Sequence, residues 1–368
     1  MPRPALPVLE REARNRMRLV TPDTAVKVVS RDIYWTVPFL RLFLERCDDL
    51  GVDNTHEALK LAHFAPRLAQ LIGVGGRPGE YISSEQKHSY EVLALAVLGS
   101  LCRRANKIGA AEGHFAHAFV LADRRSTAAF ALGELLRRYG LLRAMLAKTD
   151  AMAHLDRAVA VLRESGRYRD SMASALNTRG HVLVTEQRWQ EASLDFEEAV
   201  ECADLGTSIG KKTASAAVVN LAFTISAGSL RLDERARILE FVKTIRKDVG
   251  TRASSEMKAR LLWMEGWLYH QLSFDRHAAR VLRRARKSFR SLDRPIEFAV
   301  VSLDLAMVLL ADGEHAQYER LRAETEAALE QFANIYPQLH EALVRWQATP
   351  AGYRSVSRLT EIKATLQR

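Results

Sequence analysis

One pattern of small and apolar residues recurs along this chain, and it constrains the fold more than any other feature. A small residue is followed by an apolar one four positions on and by a second small one three further on. The copies are Ala111-Phe115-Ala118, Ala151-Leu155-Ala158, Ala192-Phe196-Ala199 and Ala278-Leu282-Ala285. Their anchors step by 40, 41 and 86 residues, the last being two steps of about 43. A weaker unit centred on Ala236, DERARILEFVKTI, fills the gap, and a degenerate copy around Tyr318, GEHAQYERLRAETEAAL, follows. The spacing i, i+4, i+7 places three anchors on one face of a helix, where small residues let a second helix come close. Gly99, Gly180 and Gly266 each stand twelve residues before an anchor. A mid-helix glycine costs about 1 kcal/mol relative to alanine, so the spacing predicts a tight helix crossing at each. The copies around 128 to 150, 217 to 243 and 298 to 329 lack that glycine in register. Upstream, Ala58, Ala62 and Ala65, preceded by YWTVPFLRLFLERC, predict a further helix pair. The step of 53 residues from Ala58 to Ala111 predicts an insertion, supplied by GVGGRPGEYISSEQKHS over 73 to 89.

Composition narrows the function classes. With 48% hydrophobic and 27% charged residues, many Ala, Leu and Arg and few Pro and Gly, the chain reads as a globular, mostly helical protein. Cys47, Cys102 and Cys202 form no metal-ligand or redox spacing and read as reduced core thiols. No apolar run approaches the roughly 20 residues that span a bilayer. The Pro-rich start MPRPALPVLERE lacks the core of a signal peptide, so a cytoplasmic location is expected. GVGGRPG fails the dinucleotide fingerprint at Pro78 and follows a helical pattern, which makes it a linker. His114 and His117 have no third ligand at a recognisable spacing, and adjacent carboxylates such as Asp48-Asp49 point different ways on a helix. No catalytic motif appears, so no enzyme, cofactor or metal is expected.

The frame formed by Leu176, Gly180, Leu183, Ala192, Phe196 and Ala199, repeated in Leu262, Gly266, Tyr269, Ala278, Leu282 and Ala285, resembles the tetratricopeptide repeat (TPR). The period exceeds the usual 34 residues and is similar to long-helix TPR variants of bacterial regulators and peptide sensors. The resemblance implies an all-α, right-handed superhelical solenoid of about seven helix pairs over 31 to 347, with an N-terminal extension over 1 to 30 and a capping segment over 348 to 368. It also implies that first helices line a concave groove and second helices face outward. In that frame the groove receives Arg103, Arg143, Ser174, Asn177, His181, Arg260, Trp263, Trp267 and His270, with core packing as the alternative role for the tryptophans.

The formal net charge is +10, and residues 276 to 294 hold eight basic residues and one acid. With Ala278, Leu282, Ala285 and Phe289 as the buried stripe, Arg276, Arg280, Arg283, Arg284, Lys287 and Arg290 face the convex side. They are a solvated face, a dock for an acidic protein, or a nucleic-acid contact. The last copy turns Val300, Leu303, Met307 and Leu310 toward the groove, too apolar to stay wet. Pro350 and Gly352 let the tail fold back on it. A capping helix over 353 to 366 is expected, burying Val356, Leu359, Ile362 and Leu366 and leaving Arg354, Arg358, Glu361 and Lys363 in solvent. The sequence therefore predicts a non-catalytic scaffold or regulatory subunit that binds a protein or peptide, its effector being another chain. Nucleic-acid binding through the basic patch is the alternative.

Overall fold

Helices account for the regular structure of the computed structural model, which describes residues 6–73, 82–227, 231–249, 255–333, 337–349 and 355–366 and shows no strand among them. The chain divides into two units, Met1–Val182 and Leu183–Arg368. The first holds α1 (Leu6–Met17), α2 (Val26–Ser30), α3 (Val37–Asp53), α4 (Thr55–Ala62), α5 (Ala65–Leu71), α6 (Ser84–Arg104), α7 (Ile108–Arg124), α8 (Ala129–Met145) and α9 (Ala151–Ser165), and ends within α10 (Arg169–Thr185). The second holds α11 (Trp189–Cys202), α12 (Ser208–Ala227), α13 (Leu232–Val249), α14 (Ser255–Gln271), α15 (Asp275–Ser291), α16 (Pro295–Ala311), α17 (His315–Ala333), α18 (Pro337–Gln347) and α19 (Ser355–Leu366).

Four pairs follow the same construction. A first helix packs on the second helix that follows it, as in α6 on α7, α8 on α9, α14 on α15 and α16 on α17. First helices also stack on one another, α6 on α8 and α12 on α14. The anchors sit at the crossings: Ala111, Phe115, Ala118, Leu155, Ala158, Ala192, Phe196, Ala199, Ala278, Leu282 and Ala285 are wholly buried. A Cβ on Gly266 would lie 2.7 Å from Leu282 Cγ, so only glycine admits the leucine knob. Gly140 plays the same part in α8, where a Cβ would meet Leu155 Cγ at 2.8 Å. The copy expected to lack its glycine therefore has one. It lies eleven residues before Ala151 instead of twelve, because the left-handed residue Ala147 stands four positions before its anchor where Asn106 and Ser273 stand five.

The turn from first to second helix is also a repeated device. Asn106, Ala147, Gln187, Ser273 and Gly313 all adopt positive φ, at 56°, 51°, 61°, 62° and 76°. At each, the following amide reaches back five residues, as in Lys107 to Cys102 (2.8 Å), Lys148 to Arg143 (2.9 Å) and Phe274 to Tyr269 (2.8 Å). This is the Schellman closure, which satisfies carbonyls that the helix end leaves unpaired.

Three expectations change. Ala236 is exposed, and α13 buries Ile238, Leu239 and Val242 instead. The insertion is shorter than 73 to 89, since α6 opens at Ser84 under a capping box from Ser83 and Gln86; residues 74–81, including most of GVGGRPG, lie outside the described residues. Residues 6 to 30 join the core of the first unit: α1 packs on α3, Ala13 and Ala25 are buried, and Arg16 donates to the Ile33 carbonyl at 2.7 Å. The Ala58, Ala62 and Ala65 stripe is buried as expected, but Pro66 divides it into α4 and α5 because proline cannot supply an interior helix amide.

Two predictions follow from these crossings and turns. Gly266→Leu overpacks the α14–α15 crossing and lowers stability by ~1–3 kcal/mol in chemical denaturation. Ala147→Gly and Ser273→Gly relieve left-handed strain at exposed turns and raise stability by ~1 kcal/mol each; a loss at both positions would refute the turn geometry.

Candidate functional site

First helices present the candidate partner surface, and their polar residues fall into separate clusters. In the second unit, α14 sets Trp263 and Trp267 one turn apart on the same face, each 8% exposed. The Trp263 indole N–H donates to Asp304 Oδ2 at 2.6 Å, and its ring meets Phe289 edge-on at 6.3 Å. Asp304 comes from α16 and is fully buried in the apolar run AVVSLDLAMVLL. Its counter-ion is Lys363 of α19, whose Nζ lies 2.7 Å from Asp304 Oδ1, 4.2 Å from the Trp267 ring centre and 5.9 Å from that of Trp263. Two indole faces and one carboxylate thus enclose a single ammonium, a cation–π cage closed by an ion pair.

The terminal helix lies where the last apolar surface needed covering. α19 packs on α16 and α18, and Thr360 Oγ1 donates to the sulfur of Met307 at 3.5 Å. Val300, Leu303 and Met307 are buried at 3% exposure or less. The helix face differs from expectation in two ways. Val356 is 39% exposed, while Lys363, expected in solvent, is 5% exposed beside Leu359, Ile362 and Leu366. Lys363 stands at i+4 from Leu359, within the buried stripe, so the spacing signal was present. Arg354 lies outside the described residues.

The other positions expected in a groove are held by neighbouring side chains. Arg260 reaches Glu256 (2.7 Å), Glu297 (3.4 Å) and the Ser215 carbonyl (3.4 Å). His270 Nδ1 lies 2.6 Å from Asp275. Arg143 donates to Asp150 at 2.8 Å, and that hydrogen bond raises its pKa above the ordinary value. Ser174 and Asn177 on α10 are half-buried, and His181 is exposed. Arg103 closes α6 beside Arg104, Arg137 and Arg138, a grouping that also draws in Asp48 and Glu134. Asp304, Lys363, Arg137, Arg138, Glu134 and Asp48 were not among the expected site residues. A lone acid inside an apolar run was the one local signal for Asp304.

α15 has one buried and one charged, exposed face. Ala278, Leu282, Ala285 and Phe289 are wholly buried, and Arg276, Arg280, Arg283, Arg284, Lys287 and Arg290 are exposed. Arg286, between them, turns inward to Ser302 (3.0 Å) and Thr325 (3.2 Å). His114 is half-buried and His117 exposed; burial, then the nearby His63 and His117, lowers the His114 pKa. Among the described residues no three His, Cys, Asp or Glu side chains converge on a metal position, and no helix is long and apolar enough to cross a membrane.

No protein-family model matches the chain, and no curated protein does. Solved structures that the chain is similar to include two helical proteins. The crystal structure of BtubC (BKLC) from P. vanneervenii is 15% identical, with a TM-score of 0.49, over 65% of this chain and 92% of that one. The crystal structure of a Rap protein complexed with Competence and Sporulation Factor is 11% identical, with a TM-score of 0.47, over 89% of this chain and 86% of that one.

Proposed function

We propose that this chain is a non-catalytic scaffold or regulatory subunit of TPR type that recognises a peptide, helix or partner protein along its first-helix surface. The observation that carries the reading is α19. The surface of α14 and α16 already holds a helix through three buried apolar side chains and one caged lysine. Helix-in-groove recognition works by this combination of spaced apolar anchors and a few fixed polar contacts. Within each unit stacked first helices offer the same kind of surface, with Arg143, Asn177 and His181 as polar contacts in the first unit and Arg260 in the second. The exposed cations of α15 lack what a nucleic-acid contact needs. Phe289, the one aromatic between 276 and 294, is buried, which leaves no platform for base stacking.

A photo-crosslinking amino acid placed at His181 captures a discrete protein from a native extract, whereas the same group at Arg280 does not. Capture only from Arg280 would overturn the reading. Reversing Arg280, Arg284 and Lys287 to Glu leaves stability within ~0.5 kcal/mol, since all three are exposed, and capture from His181 persists. Loss of salt-sensitive DNA or RNA binding in that variant would assign the patch to nucleic acid. The helix-holding cage has its own measure. Lys363→Met strands the buried Asp304 carboxylate and costs ~3–5 kcal/mol, and adding Asp304→Asn recovers most of that loss in a double-mutant cycle.

A further inference from the structure

Four guanidiniums meet at one place in the first unit, with two carboxylates among them. Arg103 and Arg104 end α6; Arg137 and Arg138 follow one another on α8. Arg138 takes Asp48 of α3 with two parallel hydrogen bonds, 2.8 and 2.6 Å, and Glu134 at 3.1 Å. Arg137 takes the same Glu134 at 2.6 Å and Thr178 at 3.3 Å. Arg104 reaches the Asp48 carbonyl at 3.3 Å. Both acids are thereby engaged by α8. Among the described residues none pairs with Arg103, and its Nε is buried without an acceptor. The charges that act on Arg103 are Arg104, Arg138 and Arg137, all cations; burial first, then these neighbours, pulls its pKa down to about 10. By contrast, Arg138 is held above its ordinary pKa: burial opposes its charge, but Asp48 and Glu134 outweigh burial.

A buried donor without an acceptor is costly, and like charges beside this half-buried side chain add to the cost. The C-terminal dipole of α6 favours cations in its last turn, but it offers no acceptor to this Nε. The surplus of two positive charges in the cluster corresponds to two carboxylates. A planar oxyanion is the group that an arginine fork binds with two parallel bonds, as Arg138 does with Asp48. From this juxtaposition we infer that Arg103, with Arg104 beside it, is an oxyanion site that takes the carboxylates of an acidic peptide segment. The inference rests on the protein-binding reading and names the chemistry of the partner: adjacent Asp or Glu side chains at the α6–α8 part of the surface.

The test uses the full chain carrying Arg280→Glu, Arg284→Glu and Lys287→Glu, so that the α15 cations cannot attract the probe. Fluorescein-labelled hexaglutamate is titrated and followed by anisotropy at low salt. The site predicts saturable binding, weakened tenfold or more by Arg103→Gln and partly restored by Arg103→Lys. The melting temperature of Arg103→Gln stays at or above that of its parent, since an unpaired cation has left a positive cluster. Absence of hexaglutamate binding, or equal affinity in Arg103→Gln, overturns the inference. So does a result in which inorganic phosphate raises the parent's melting temperature while hexaglutamate fails to bind, which would reassign the site to a small free oxyanion. Capture from His181 is read independently, so failure here with capture there removes this inference and leaves the protein-binding reading standing.

Discussion

Everything in this fold depends on how closely a first helix can approach the second helix of its own pair. Where glycine faces a leucine or phenylalanine knob, as Gly266 faces Leu282, two backbones pack without a side-chain layer between them. The alanines a turn away on either side of the knob are wholly buried for the same reason. This contact is local in sequence, since knob and hole lie about sixteen residues apart across one turn. Each pair can therefore bury its own crossing before its neighbours arrive, which favours construction by repetition.

The turn between them has one geometry and variable chemistry. A left-handed residue closes five of the first helices, yet Asn, Ala, Gln and Ser occupy it in four of them and glycine in one. Strain of ~1 kcal/mol per turn is tolerated because the crossing that the turn permits buries large apolar side chains worth ~1.5–3 kcal/mol each.

Legibility in the sequence followed the range of the interaction. The Ala-Phe/Leu-Ala stripes were visible because all three residues belong to one helix face. The Gly140 crossing escaped a fixed twelve-residue register although the physics was identical, because its anchor Ala151 follows the left-handed residue by four positions and not five. In α13 the segment DERARILEFVKTI offered more than one apolar face, and the buried one uses Ile238 and Val242, leaving Ala236 outside. Of the site, the tryptophans and Arg103 could be singled out by type and register. Their partners could not, since Asp304 and Lys363, or Arg138 and Asp48, meet only through the stacking of helices distant in sequence.

The buried Asp304 has a consequence for how the chain is made. Asp304 and Lys363 are 59 positions apart, so during synthesis α16 exists well before the helix that neutralises its acid. In that interval Val300, Leu303 and Met307 form an open apolar strip, the kind of surface through which nascent chains associate. A carboxylate in the middle of that strip, held by the Trp263 N–H but without a cation, makes association with another apolar surface unfavourable, because the charge would be desolvated unneutralised. Only a surface that brings an ammonium at the right depth can close over it. The ion pair thus acts as a lock with an internal key, keeping the strip unoccupied until the chain's own lysine arrives.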